Sequence, residues 1–550
     1  MPIETEVLIV GAGPCGLILA NELGRRGVSA YVVDRESTVA MAPQANATQA
    51  RTMEHYRRLG FAHEIRAMGM PADHPTDVAY FTRYNSHELA RFEMPSSSQA
   101  HQRVKELAHV WNAAELPHRI PQSLVEQTLL RKARELDSIR IDFLHELVTF
   151  SQTDDGVNAT IKDLQTGECK EVHALYMFGA DGGNSVVRRT LGIEYTGGDL
   201  TSRDFMGGQM LSIYISAPAF YDLGIKPAWM YWAVNRQRRA LLATVDGKGM
   251  FALQTQLKPE EKLEDITDER ASELFCQAIG QKIDHEIIGR ASWMAGRALV
   301  AERFQDKRVL LGGDAVHLFT PTGGMGYNTA VEDAVNIGWK LAAVIKNNAP
   351  KELLESYEQE RKPIAHRNTE FALRFADSIG LYQAPSAIEK DDEAGDFARK
   401  RAGAYIQQHA EKEFTIPGFT LGARYDASRI IHKEPGMSPP DAPSVYVPTA
   451  KPGGRAPHLW LKDGESLYDC FGFNWTLLSL DTNLTVPNEI MAFAEKNGMD
   501  LTLLVIEDEP LLNDLYERKY MLIRPDQVVA WRGDDLPSNH DVIFKQLLGG

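Results

Sequence analysis

The chain has little of what an extracellular, membrane-spanning or nucleic-acid-binding protein would carry. Four cysteines in 550 residues (Cys15, Cys169, Cys276 and Cys470) are scattered, with no C-x-x-C and no metal-ligand spacing. A disulfide scaffold is argued against, no metal is expected, and four buried thiols in a reducing cytoplasm are the natural reading. No apolar run approaches the ~18 residues that cross a bilayer, and Glu4 and Glu6 stand where a secretory signal would be basic. No stable membrane association is expected. Lys and Arg (59) are outnumbered by Asp and Glu (75), a formal charge of −16, which argues against a nucleic-acid partner. What remains is an ordinary globular composition, 43% hydrophobic and 24% charged, with room for three to four units of roughly 150 residues.

The clearest local signal opens the chain. The aliphatic run 7–10 leads into Gly11-Ala12-Gly13-Pro14-Cys15-Gly16, an apolar helix pattern, and a second strand pattern ending in Asp34 and Arg35. Gly11 suits a tight turn, Gly13 lets backbone approach a pyrophosphate, and Gly16 allows close packing of helix on strand. The helix N-terminus offers free N–H groups to phosphate, and Asp34 is placed to accept from a ribose hydroxyl. Dinucleotide binding follows; this turn alone does not choose between NAD and FAD.

Two further segments repeat the theme of an aliphatic strand ending in glycine and aspartate. One is Tyr176-Met177-Phe178-Gly179-Ala180-Asp181-Gly182-Gly183, followed by Arg188. The other runs from Val309-Leu310-Leu311-Gly312-Gly313-Asp314 through Pro321 to Gly323-Gly324-Met325-Gly326-Tyr327-Asn328, and a helical pattern follows. No second strand-linked G-x-G-x-x-G occurs, which points away from flavin disulfide reductases.

With these three motifs in this order the chain resembles the single-component FAD-dependent aromatic hydroxylases, the class A flavoprotein monooxygenases. The resemblance implies FAD held at Gly11, Gly13, Pro14, Gly16, Asp34, Arg35, Gln44, Arg51, Gln122, Asp181, Gly182, Arg188, Gly313, Asp314, Pro321, Gly324, Gly326, Tyr327 and Asn328. Gln122 closes a turn, His118-Arg119-Ile120-Pro121-Gln122, that matches the family segment whose glutamine contacts FAD. NADPH or NADH would reduce the flavin. O2 would add to form a C4a-hydroperoxide, whose distal oxygen hydroxylates a phenolic ring.

Residues 348 to about 415 are charged and helix-prone, with Glu352, Glu355, Glu358, Glu360, Arg361 and Arg367 expected on solvated faces. A proline-rich stretch follows, and the segments around Gly453–Leu461 and Tyr520–Arg532 resemble the C-terminal domain of the phenol hydroxylase, dichlorophenol hydroxylase and hydroxyphenylpropionate hydroxylase branch. That domain is thioredoxin-like and implies a homodimer; Cys470 lacks a nearby partner, so a structural role is expected. The expected fold is α/β. A Rossmann-like FAD domain (1–75, 105–190, 296–370) is interwoven with a β-sheet substrate domain (76–104, 191–295). A helical connection (371–415) leads to the thioredoxin-like domain (416–550).

For the substrate pocket, Met206, Gln209, Tyr214, Trp229, Tyr231 and Trp232 are the expected lining, with Pro321 beside the flavin. The segment containing Asn46 matches a family stretch in which phenol hydroxylase uses an Asp for substrate deprotonation. An amide cannot act as that base, though Asn46 could orient a phenol; Tyr231 and His101 are the stand-ins. No arginine stands out in the strands facing the flavin, Arg203 apart, so a neutral or polycyclic phenol is preferred to a carboxylate-bearing substrate. Two alternatives stay open. One is a flavin monooxygenase of another reaction type, Baeyer–Villiger or epoxidation, on a polycyclic or polyketide-like substrate; the other is a catalytically weak flavin-binding protein.

Overall fold

The computed structural model describes residues 2–40, 45–199, 207–346, 349–481, 488–507, 509–537 and 539–550. Three sheets organise them. In the first, strands Val309–Leu311, Cys169–Gly179, Ile3–Val10, Ala30–Asp34 and Ile139–Phe143 lie side by side, all parallel. Val7, Leu8, Ile9, Val32, Val33, Phe178 and Leu310 are buried, the near-continuous apolar reading of strands covered on both faces. Helices Pro14–Gly24, Gln122–Arg134 and Met325–Lys346 supply part of that cover. The register pairs Val10 with Gly179 and with Val33, and Gly179 with Leu311. All three glycine–aspartate motifs therefore leave the sheet at one edge, the carboxyl ends where ligands bind in open α/β sheets.

The second sheet has seven strands in the order Glu286–Met294, Gln209–Ser216, Met250–Gln256, Ala240–Thr244, Met230–Ala233, Val78–Phe81 and Glu88–Phe92. Alternate residues divide its two faces. Leu211, Ile213, Tyr231, Leu242, Phe251 and Leu253 pack with helix Asp268–Ile279 into one core. Met210, Met230, Trp232, Leu241, Val78 and Tyr80 face the other way, toward Ile379, Ile406 and Ala47. The strand Tyr195–Asp199, expected with this sheet, instead pairs with Arg297–Ala301, which also pairs with His317–Leu318 in a separate three-stranded piece.

The third sheet is C-terminal, ordered Leu501–Val505, Trp475–Ser479, Tyr520–Ile523 and Val529–Gly533; its first two strands are parallel and the remaining neighbours antiparallel. It docks on the first domain through buried charge. Arg524 donates to Glu360 at 2.7 and 2.9 Å, and Lys340 donates to the same carboxylate at 2.7 Å. Glu360 and Arg361 are thus buried, not solvated. The charge pattern of helix Glu355–Gly380 points to solvated faces but cannot show that a later domain covers Glu360 and Arg361. Of the cysteines only Cys15 is buried; Cys169 is exposed, and Cys276 and Cys470 are half-buried. Among the described residues no helix is long and apolar enough to cross a membrane.

Candidate functional site

The first turn is shaped by contacts that only glycine permits. Gly11 has φ +108°, and a Cβ there would overlap the Ala180 carbonyl. A Cβ on Gly16 would overlap the Gly11 carbonyl, whereas nothing lies within 4 Å of one on Gly13. Gly13 and Pro14 keep accessible surface amid buried neighbours, and helix Pro14–Gly24 has no side-chain cap. Its first N–H groups are free for an anion. Asp34 braces the turn, accepting from the Ala12 N–H at 2.6 Å and the Glu36 N–H at 2.9 Å. Arg35 beside it is solvent-exposed and only 3.4 Å from Glu36.

The middle motif is spent partly on its own helix. Asp181 accepts from the Val186 and Val187 N–H groups at 2.6 and 3.1 Å, while its other oxygen is buried without a partner. Burial raises this carboxyl above its usual range. Gly182 has φ +77°. Arg188 donates to the Ile193 carbonyl at 2.7 Å and lies over the Tyr195 ring at 3.9 Å. The Tyr195 hydroxyl in turn donates to the Asp314 carbonyl at 2.5 Å, joining the second motif to the third.

At the third strand end Gly313 has φ +62°, and its N–H donates to Asp333 at 3.1 Å. Asp333 also meets His317 Nε2 at 2.7 Å and Arg361 Nε at 2.8 Å. Burial would raise the Asp333 carboxyl, but His317 and Arg361 hold it below its usual range. Asp314 differs. It is accessible although its neighbours Gly313 and Ala315 are buried, and no protein donor meets its carboxylate among the described residues. Desolvation in that recess lifts it, opposed by His317. Pro321, Gly324, Gly326 and Tyr327 continue the accessible line, with φ +67° at Gly324. The Tyr327 hydroxyl meets that of Tyr56.

Asn328 is buried and works as a latch. Its amide donates to the Ala47 and Gly324 carbonyls at 2.8 and 2.6 Å and accepts from the Gln49 N–H at 2.8 Å. Gln49 returns a bond to the Gly323 carbonyl at 2.7 Å, a role the sequence did not single out. Gln122 secures the same segment, its N–H donating to the Ala45 carbonyl at 2.7 Å and its side chain to Glu126 at 2.7 Å. Gln44, expected at the cofactor, lies outside the described residues, as do Met206 and Arg203.

Several expectations are corrected. Arg51 does not face the cleft: it donates to Glu54 at 3.0 Å, Gln527 at 2.8 Å and the Asp526 carbonyl at 2.6 Å, tying the first domain to the C-terminal one. Tyr231 belongs to the core on the far face of the seven-stranded sheet, where its hydroxyl accepts from the Ala228 N–H at 2.8 Å. The register of strand Met230–Ala233 puts it there, because neighbours on a strand point to opposite faces. Gln209 shares the face of Leu211, is exposed at the strand's start, and donates to Ser292 at 3.3 Å. His101 is exposed on helix Ser97–Glu106.

Trp229, Trp232 and Tyr214 do lie on the side toward the first domain. Trp232 stacks with Tyr80 at 5.9 Å, and half-buried Tyr214 shares its face with Met210. On this side Leu241 and Met230 keep 7% and 8% of their surface, while Val78, Tyr80 and Met210 keep none. Asn46 is half-buried at the rim, its backbone carbonyl accepting from the Ile120 N–H at 3.2 Å. One functional candidate was passed over. Arg119, on the short strand His118–Arg119 paired with Ala47–Thr48, sends its guanidinium over the Trp229 ring at 4.5 Å. In the sequence it is one residue of the turn before Gln122, with nothing to set it apart.

These placements can be set beside known proteins. Residues 4–372 match the family model described as FAD binding domain, and residues 449–548 the one described as aromatic-ring hydroxylase, C-terminal. "FAD-dependent monooxygenase apdD" of Emericella nidulans is 30% identical over 98% of this chain and 90% of its own length. The structure of the rebeccamycin biosynthetic enzyme RebC with reduced flavin superposes with a TM-score of 0.88 at 32% identity, covering 100% of both chains. The ternary complex of aklavinone-11 hydroxylase with FAD and aklavinone superposes with a TM-score of 0.80 at 26% identity, over 100% of this chain and 99% of that one.

Proposed function

Because the chain belongs to the FAD-binding-domain family, with an aromatic-ring hydroxylase C-terminal unit behind it, we propose a monooxygenase acting on a polycyclic, polyketide-like aromatic substrate with NAD(P)H as reductant. The observation that carries this reading is the aromatic and aliphatic face of the seven-stranded sheet, which packs toward Ala47, the residue that Gly324 of the cofactor-side run approaches. The names of the relatives that act in rebeccamycin biosynthesis and on aklavinone support a substrate larger than a simple phenol.

The residues present fit FAD. Gly13, open to 4 Å, and the uncapped helix behind it would hold the pyrophosphate, and Asp34 the ribose; Asp314, an accessible carboxylate without a protein partner, would take a hydroxyl. FAD supplies the redox and oxygen-transfer chemistry when bound, and the protein supplies orientation and shielding. The Asn328–Gln49 latch fixes the glycine run against residues 47–49, so both walls of the cleft keep a set spacing. Trp229, Trp232, Met230 and Leu241 present a dry surface that keeps water from the reacting centre. Asn46 can donate or accept a hydrogen bond but cannot take a proton, and Tyr231 is on the wrong side of the sheet. Oxygen transfer that needs no phenol deprotonation, epoxidation or Baeyer–Villiger insertion, fits that pair of facts better than simple phenol hydroxylation. The strand order of the C-terminal unit, with Cys470 lacking a cysteine partner, supports a thioredoxin-like fold with a structural role.

Anaerobic stopped-flow reduction of the flavin by NADPH and by NADH tests the proposal. Polycyclic aromatics are expected to accelerate bleaching more than simple phenols do. Equal acceleration by a simple phenol would return the chain to phenol hydroxylation; no bleaching by either nucleotide would leave a flavin-binding protein. Asp314→Ala is expected to weaken FAD retention by about tenfold or more, read by flavin fluorescence on dilution.

A further inference from the structure

Arg119 is a charge without a counter-charge. It is 5% accessible, and among the described residues it makes no ion pair; its one hydrogen bond runs from Nη2 to the Met94 sulfur at 3.5 Å. Thioether sulfur is a weak acceptor, and a guanidinium has five N–H donors to satisfy. The acid whose field it feels is Glu413. That carboxylate is already engaged, accepting from the Gly323 N–H at 3.1 Å and meeting His409 at 2.7 Å. Burial pulls the Arg119 guanidinium down to about 10, so it remains protonated at neutral pH.

The surroundings give this charge a direction. Its guanidinium lies over the Trp229 ring at 4.5 Å, on the sheet face turned toward the first domain. A guanidinium held over a ring, with only a thioether as acceptor, keeps N–H donors available for a carboxylate, whose geometry its fork matches. Its backbone pairs with Ala47, whose Cβ lies 3.0 Å from where a Cβ on Gly324 would stand. Arg119 thus links the segment beside the glycine run to this sheet face. A second polar group is left over there: the buried Tyr80 hydroxyl, on the same face and also within the field of Glu413, has no hydrogen-bond partner. Buried polar groups in native proteins are paired, and two such groups on one lined face call for a ligand that pairs them.

We propose that Arg119 anchors a carboxylate of the substrate, with the Tyr80 hydroxyl as a second donor, so that the enzyme acts on an aromatic acid. The proposal rests on the monooxygenase reading above and deepens it by naming the substrate class. It reverses the expectation of a neutral substrate.

The test uses the FAD-loaded full chain and a matched pair of probes, 1-hydroxy-2-naphthoic acid and its methyl ester, with binding read from the perturbation of the flavin spectrum. The acid is expected to bind about tenfold or more tightly than the ester. Arg119→Met is expected to weaken the acid by at least about that factor, with ester affinity and FAD content unchanged, and Arg119→Lys to recover part of the loss. Arg119→Gln repeats the measurement if the methionine variant does not fold. The proposal is overturned if the acid fails to bind or shows no preference over the ester, or if the variants lose FAD while the preference survives. Flavin reduction stimulated by a neutral polycyclic compound, without acid preference, would remove this proposal and leave the monooxygenase standing. Acid preference abolished by Arg119→Met in a flavin that neither nicotinamide reduces would uphold the anchor and remove the monooxygenase reading.

Discussion

Leu241 and Leu242 are neighbours on one strand of the seven-stranded sheet, yet they belong to different kinds of interior. Leu242 meets Tyr231, Phe251 and Leu253 in a core with no accessible surface. Leu241 looks toward Trp232, Met230 and the first domain and keeps 7% of its own. The rings on the first side interlock edge to face, Phe220 lying 5.0 Å from both Tyr231 and Phe251. On the second side Tyr80 stacks with Trp232 at 5.9 Å, and Phe414 lies 6.0 Å from Phe92 and 6.3 Å from Trp229. The sheet is therefore a partition: one side closes on its own helix Asp268–Ile279, and the other turns Trp229, Trp232 and Met230 toward the first domain, where the proposed ligand would lie.

Truncation should break the comparison most visibly. Leu242→Ala is expected to cost ~2–5 kcal/mol, and Leu241→Ala clearly less, as measured by denaturant unfolding. Equal losses would mean that both faces are equally filled. The next largest effect concerns two buried histidines, His118 and His458. Burial pulls the imidazoles of His118 and His458 down to about 3. Unfolded, each takes up a proton near pH 6.5; folded, each stays neutral until about 3. Stability should therefore fall as pH drops from about 6.5 toward 3, by at most ~1.4 kcal/mol per pH unit for each histidine. His118→Asn should flatten that slope in denaturant midpoints taken across the window. Ala243→Leu, on the accessible face, should leave stability within about 1 kcal/mol of the parent but cut aromatic ligand affinity about tenfold in flavin-perturbation titrations. The smallest effect is expected at Tyr231→Phe. It removes one hydrogen bond, worth about 1 kcal/mol, and should leave the turnover number unchanged in steady-state assays.

Much of the cofactor side was legible because its chemistry is local. Gly11, Gly13, Asp181 and Asp314 each follow the end of a strand, and the parallel register then gathers them without further information. The substrate side was less legible because a face is a property of register. Trp232 and Tyr231 are both aromatic and adjacent, and nothing in their order says which one turns inward. Arg51 and Glu360 were misread for a different reason: their partners, Gln527 and Arg524, lie hundreds of residues away or in a domain whose docking surface the sequence does not mark. Arg119 was hidden by its own neighbour, since the turn was read for Gln122.

The charge network under the C-terminal domain also bears on how the protein is made. Glu360 and Lys340 emerge from the ribosome well before Arg524, and at ordinary elongation rates the delay is on the order of ten seconds. During that time Glu360 has Lys340 but lacks the guanidinium that the finished fold provides. Arg361, next in the chain, holds Asp333, which holds the Gly313 N–H at the cofactor loop. The loop that would receive FAD is thus braced by a helix whose own charge balance is completed last. A nascent chain released early would carry every nucleotide motif and still lack the fastening behind them.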